Sequence, residues 1–247
     1  MNTPFCSAFI LAAGLGTRLG TLTKQQPKAL VEVNGEPLLK INLLKLKKFG
    51  FTKVVINVHH FAAEIIHYLK ENNNFGLEIH ISDESNQLLD TGGAILKALP
   101  LYNPDEYILI HNVDVISDFD LKAFANEFRK STSAATLFVR ERNSSRKLLF
   151  DKQSQLAGWH NEQTNETKWV HSQIDDYQAF AFSGIHIIQA KLFADLPVEK
   201  CSVINLYLQK AKNNRILAHI NNDCLWFDLG KKEQLVEIEN ELKKQQK

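Results

Sequence analysis

An apolar run, Ala8 to Ala13, passes without a polar break into the glycine-rich segment Gly14-Leu15-Gly16-Thr17-Arg18-Leu19-Gly20. A short apolar run of this kind reads as a buried strand, and a turn at the carboxyl end of such a strand lies where open α/β sheets place their ligands. Glycines there let successive backbone N–H groups converge on one concavity, which suits an anion. Spacing excludes the two commonest phosphate turns. The dinucleotide pattern needs a third glycine at position 19, which is Leu19, and the Walker A pattern needs Gly-Lys-Ser/Thr at 19 to 21, which reads Leu-Gly-Thr. A lone Gly-x-Gly is also what any tight turn uses. Two cations favour the anion reading: Arg18 two residues after Gly16, and Lys28 after Pro27. A guanidinium grips phosphate oxygens bidentately and an ammonium acts as a point charge.

The rest of the chain has the texture of an α/β protein. Between about residues 7 and 130, short apolar runs alternate with segments of helical period. Strands are predicted at Ala8 to Ala13, Val54 to Val58, Leu77 to Ser82 and Tyr107 to His111. Helices are predicted across PLLKINLLKLKKFG with Gly50 as its stop, over Ala62 to Asn72, around Gly93 to Leu99, and from an Asp120 cap to Lys130. After Ala134 to Val139 come short strand-like pieces at 148 to 150, 156 to 159 and 168 to 170, which read as a hairpin insertion whose core Trp159, Trp169 and Trp226 would pack. FAFSGIHII, a helix near Val203 to Ala211, RILAHI, CLWFDLG and a charged helix from Lys231 complete the series.

Composition narrows the class of partner. Lys and Arg total 29 against 28 for Asp and Glu, so no global field exists to hold nucleic acid. Cys6, Cys201 and Cys224 are scattered and odd in number, as expected of a reducing, cytoplasmic compartment; the first residues show no basic n-region and Ala8 to Ala13 is short for an h-region, so no signal peptide is expected, nor a membrane helix, since no run approaches about 20 apolar residues. His59 and His60 are adjacent on a strand exit and point to opposite faces, so they do not suit one metal ion.

With these residues in place, FILAAGLGTRLGTLTKQQPKALVEVNGEPLL resembles the opening motif of the sugar-1-phosphate nucleotidyltransferases, LAxGxGTRL followed by about ten residues and PK. One difference is GTL at Gly20 to Leu22, where many members have a proline. The resemblance extends to YILIHNVDVISDFD, LLDTGGAILKAL, FSGI and CLWFDLG. It implies a Rossmann-like mixed, mainly parallel sheet with flanking helices and a small β insertion at about 146–172. It further implies a single nucleotidyltransferase domain, residues 1–140 binding nucleotide and 141–247 binding sugar. The implied reaction joins a nucleoside triphosphate to a sugar 1-phosphate with Mg2+, in a monomer or homodimer that uses neither nucleic acid nor membrane.

Site roles follow from the same resemblance. Nucleotide binding falls to Leu11, Ala12, Ala13, Gly14, Leu15, Gly16, Thr17, Arg18, Lys28, Thr91, Gly92 and Gly93, with Arg18, Lys28 and Asp114 catalytic. Asn112, Ser183 and Gly184 fall to the sugar, and Asp114 and Asp228 to the metal. Two strand-terminal carboxylates suit magnesium, which prefers hard oxygen ligands. Asn112-Val113-Asp114 departs from the Asn-Gly-Asp usual in the family, and Val113 raises the question of how closely backbone and ligand approach there. The compact members with this motif include mannose-1-phosphate guanylyltransferases and N-acetylmuramate-1-phosphate uridylyltransferases; a binding-only descendant of the fold and a dinucleotide oxidoreductase are the rival classes.

Overall fold

In the strand Lys53–Val58, Val54, Val55, Ile56 and Val58 have no exposed surface, so both of its faces are covered. That is the environment of a parallel strand between helix layers. The computed structural model describes residues 7–230 and 232–245, with the side chains of Arg18, Thr21, Lys232, Glu233 and residues 242–245 outside the description. The architecture is the expected mixed sheet with flanking helices, and the chain gathers into two compact units.

One unit comprises Ser7–Leu88, His111–Leu121 and the residues from Cys224 onward. Its strands Ser7–Leu11, Lys53–Val58 and Glu78–Asp83 lie side by side and parallel, with Ala8 opposite Val54 and Val54 opposite Ile79. The helix Leu38–Lys48 makes the first crossover. Its buried stripe is Leu38, Leu39, Asn42, Leu43 and Leu46, the 3–4 spacing of an amphipathic helix, interrupted by one polar residue. It ends as the sequence predicts: Gly50, at φ 88°, donates to Lys47 O, and Phe51 N reaches back to Leu46 O. This 6→1 and 5→2 pair needs a left-handed residue between helix and exit, and glycine takes that conformation without steric cost. The second crossover is the helix Ala62–Glu71.

The segment after Tyr107–Asn112 folds into a two-stranded ribbon. Val115–Ser117 pairs antiparallel with Trp226–Asp228, placing Asp228 opposite Val115. Asp118 N donates to Leu225 O, and Leu225 N donates to the Asp118 carboxylate at 2.8 Å, which closes the ribbon at its far end. Trp226 therefore belongs to this ribbon and not to the β insertion, contrary to the sequence expectation, because pairing with residues more than a hundred positions away leaves no local signal.

The other unit comprises Leu89–Ile110 and Lys122–Asp223 among the described residues. Its long strand Gln178–Gln189 pairs antiparallel with Ala135–Arg140 and, through Gln178, Ala179 and Phe180, with Arg146–Phe150. Ile216–Ile220 runs parallel to Ala135–Arg140. The insertion is a meander of three strands, Arg146–Phe150, Leu156–Asn161 and Glu166–Trp169, one strand more than a hairpin. Helix Val203–Lys210 is capped by the Ser202 hydroxyl, which accepts from Ile204 N. Its fully buried Tyr207 hydrogen-bonds His186 Nδ1 at 2.5 Å.

Candidate active site

The first strand stops pairing at Leu11, whose register partner is Asn57. The next two backbone donors do not continue the ladder. Ala12 N and Ala13 N both donate to the Asn57 carboxamide oxygen, at 2.6 and 3.3 Å. Asn57 Nδ2 in turn donates to the buried Glu84 carboxylate at 2.7 Å. The amides of Ala12 and Ala13 thus have partners inside the chain, and the turn opens from Gly14.

Two glycines of the turn differ in what they permit. A Cβ on Gly14 would meet nothing within 4 Å. Gly16 sits at φ 64°, and a Cβ there would lie 2.8 Å from Thr23 Cγ2 and 3.1 Å from Lys28 Cβ. The bare backbone at Gly16 is what lets Lys28 close on the turn, and the Gly16 carbonyl is fixed by Leu19 N at 2.8 Å and Thr23 Oγ1 at 2.9 Å. Gly16→Ala is expected to lower stability by about 1–2 kcal/mol through its left-handed backbone alone, read as a fall in urea midpoint, whereas Gly14→Ala leaves the midpoint unchanged. Equal midpoints for the two variants would contradict this assignment. Leu15 and Thr17 are exposed on the turn, and the Arg18 side chain falls outside the description.

Lys28, 8% exposed, forms an ion pair with Asp114 across 86 residues of sequence. Backbone bonds fix where Asp114 stands. Val113 N donates to Leu11 O at 3.1 Å, tying this segment to the end of the first strand, and Leu229 N donates to Asp114 O at 2.9 Å, tying it to the segment after Asp228. Asn42 Nδ2 donates to Val113 O at 2.8 Å and to its own helix at Leu38 O. The Val113 side chain is buried among core residues, so its bulk is absorbed by the interior. One helical turn after Asn42, Lys45 Nζ donates to Ser117 O at 2.6 Å and to Ser117 Oγ at 2.8 Å. Asn42, Lys45, Asn57 and Glu84 are the supporting residues that motif reading missed; for Asn42 and Asn57 a polar residue within an apolar stripe or strand is the signal left in the sequence, whereas Lys45, one of several lysines in its helix, and Glu84, among polar neighbours, left none.

Burial pushes the Lys45 ammonium down to about 8, against which Cys224, Asp118 and Asp120 pull upward electrostatically. His111, fully buried in the strand before Asp114, is pushed down to about 3 by burial first and by Lys45 second, so it stays neutral near pH 7, its Nδ1 donating to Asn112 O. The Lys45 shift has a signed consequence. The unfolded chain keeps this proton up to about pH 10.5 while the folded chain releases it from about pH 8, so wild-type stability gains over this window relative to a variant lacking the group. The melting-temperature difference between wild type and Lys45→Met is therefore expected to move in favour of wild type between pH 7.5 and pH 10. A constant or opposite difference would contradict a buried, charged Lys45.

Among the described residues no group of three or more His, Cys, Asp or Glu side chains could hold a metal ion alone. The carboxylates of Asp114 and Asp228, on segments joined by the Leu229–Asp114 bond, offer the hard oxygens magnesium takes. Two carboxylates alone would leave most of a magnesium ion's shell to water and phosphates.

The other unit holds Thr91, Gly92, Gly93, Ser183 and Gly184. Gly92 N and Gly93 N both donate to Cys201 O, Val203 N donates to Thr91 Oγ1, and Cys201 N donates to Leu89 O. A Cβ on Gly93 would lie 2.3 Å from Glu199 O. These glycines admit the 199–202 segment against the start of helix Asp90–Ala98. Ser183 is buried in the long strand, and Gly184, at φ 74°, lies in the register break between Phe182 and His186, a bulge. Asn112 is half-buried at the end of its strand. His59 Nδ1 bonds Glu84 O at 2.6 Å and His60 packs against Phe61, so the two histidines have separate partners.

Comparison with known proteins identifies the family. The family model described as nucleotidyl transferase matches residues 7–148. The N-acetylmuramate alpha-1-phosphate uridylyltransferase of Neisseria meningitidis is 29% identical over 224 residues, covering 90% of this chain and 92% of the relative. The enzyme of the same name from Caulobacter vibrioides is 30% identical over 234 residues, covering 90% and 91%. Among solved structures, HddC from Yersinia pseudotuberculosis superposes with a TM-score of 0.77 at 22% identity, over 96% of this chain and 100% of that one, a likeness of fold. Family match, full-length relatives and shared fold together establish that the chain belongs to the nucleotidyl transferase family.

Proposed function

We propose that this chain transfers a nucleotidyl group from a nucleoside triphosphate to a sugar 1-phosphate, releasing pyrophosphate. The observation that carries this reading is the convergence, within one unit, of the glycine turn, Lys28 and Asp114: Gly16 packs on Lys28, Lys28 pairs with Asp114, and Val113 is bonded to the end of the strand that enters the turn. An anion nest, a cation and a carboxylate at one place are the parts needed to hold a triphosphate. The sugar-phosphate oxygen attacks the α-phosphorus in line. An oxygen–phosphorus bond forms as the α–β bridging bond breaks, pyrophosphate carries off the electron pair, and no proton need move.

A phosphate monoester oxygen is already nucleophilic near neutral pH, so the chain contributes position and charge. The N–H groups from Gly14 onward and the Arg18 guanidinium take the triphosphate, and the Lys28 ammonium offsets charge at the reacting phosphorus. Asp114 and Asp228 are the residues that would hold Mg2+, which when bound neutralises phosphate charge. Thr91 and the glycines beside it are assigned to the nucleoside, and Asn112, Ser183 and Gly184 to the sugar.

The two full-length relatives, both N-acetylmuramate alpha-1-phosphate uridylyltransferases, support UTP and N-acetylmuramate 1-phosphate as substrates. No described helix is long and apolar enough to cross a membrane, and a cytoplasmic monomer or homodimer serving cell-envelope precursor synthesis fits the reading. Comparing kcat/KM for UTP with N-acetylmuramate 1-phosphate against GTP with mannose 1-phosphate tests the substrate choice. Preference for the first pair supports it; preference for the second replaces it with a guanylyltransferase.

A further inference from the structure

Asn57 is the fifth residue of Lys53–Val58 and is buried, in a strand whose other buried residues are valine and isoleucine. A buried carboxamide there costs stability unless its donors and acceptor are satisfied. The partners found are informative. Backbone N–H groups of the first strand can only donate, so the Asn57 amide group must turn its oxygen toward that strand and its NH2 toward Glu84, which has no exposed surface. That oxygen then takes two successive N–H groups, Ala12 and Ala13, at the point where the chain leaves the sheet for the glycine turn. Glu84 is itself pinned: its N–H donates to Val58 O at 2.7 Å, and its carbonyl accepts from His59 Nδ1.

We infer that Asn57, oriented by Glu84, is a positioning residue for nucleotide binding. It ends the strand ladder by replacing the next backbone acceptor with a side chain and sets the direction in which Gly14 to Thr17 leave the sheet. It also occupies the last two N–H groups before the turn, so that the N–H groups from Gly14 onward face the triphosphate. This inference rests on the nucleotidyl-transfer reading and extends it to residues outside the glycine motif.

The test uses equilibrium binding of a non-hydrolysable nucleoside triphosphate together with separate KM values for the two substrates. Misplacing a binding group by about 1 Å can cost roughly 10²-fold, so Asn57→Ala is expected to weaken triphosphate binding by 10- to 100-fold while the KM for sugar 1-phosphate stays near wild type. Asn57→Asp alone places two carboxylates face to face and is expected to bind weakly. Adding Glu84→Gln reverses the polarity of the contact, the new amide donating to the new carboxylate, and is expected to restore most of the affinity even where Asn57→Ala fails to fold. Wild-type affinity in Asn57→Ala, or no recovery in the double variant over Asn57→Asp, overturns the inference and leaves the reaction assignment standing. A wild-type chain that binds no nucleoside triphosphate overturns both.

Discussion

Asp114→Asn is expected to reduce turnover on the order of 10³-fold, equivalent to about 4 kcal/mol of transition-state stabilisation. The substitution keeps the shape of the side chain, and its amide oxygen can still accept from Lys28, so folding is largely spared. What it removes is the negative charge that a divalent cation would require. The backbone of this segment is held independently, by Leu11, Asn42 and Leu229, so the loss reports on the carboxylate and not on a displaced loop. Pyrophosphate release in a magnesium titration checks this. Near-normal turnover at any magnesium concentration would remove Asp114 from the site.

Lys28→Gln is expected to lower kcat by about 10²- to 10³-fold, the usual effect of removing one donor aimed at developing charge, with a smaller change in the KM for nucleotide. Charge at the α-phosphorus grows only as the bond to the sugar phosphate forms, so a group acting there affects the transition state more than the ground state. The ion pair adds a second expectation. With Lys28 gone the Asp114 carboxylate, largely buried, loses its partner, so some loss of thermal stability accompanies the kinetic effect. Because the two groups act as a unit, the double variant Lys28→Gln, Asp114→Asn should lose little more activity than Asp114→Asn alone. Strictly multiplicative losses would mean that the two side chains act at separate places.

How much of this was legible in the sequence depended on range. The first strand, the glycine turn and the Gly50 stop are local patterns of apolar period and backbone freedom, and the structure has them where the residues put them. The closing of Lys28 on Asp114 is different. Its partners are 86 positions apart and were reachable only through resemblance to a family motif. Val113 looked like an obstacle to ligand approach because a motif shows identity without direction; in the fold its side chain is buried. Asn57 and Asn42 were present as polar residues among apolar ones, yet nothing local says which distant backbone groups they hold. The three strand pieces of the insertion were legible, but their pairing as a meander and the true neighbours of Trp226 were not, since strand partners are chosen by tertiary pairing and not by the strand's own residues.

Product stoichiometry measures the proposed nucleotidyl transfer most directly. Purified chain is mixed with UTP and N-acetylmuramate 1-phosphate, and in parallel with a panel of other nucleoside triphosphates and sugar 1-phosphates, with magnesium and with chelator. Pyrophosphate and a nucleoside-diphosphate sugar are expected to form one to one with at least one pair, only with both substrates and the metal present. Tight binding of a nucleotide sugar without pyrophosphate release from any pair would contradict it and would mark the chain as a binding subunit that kept the fold.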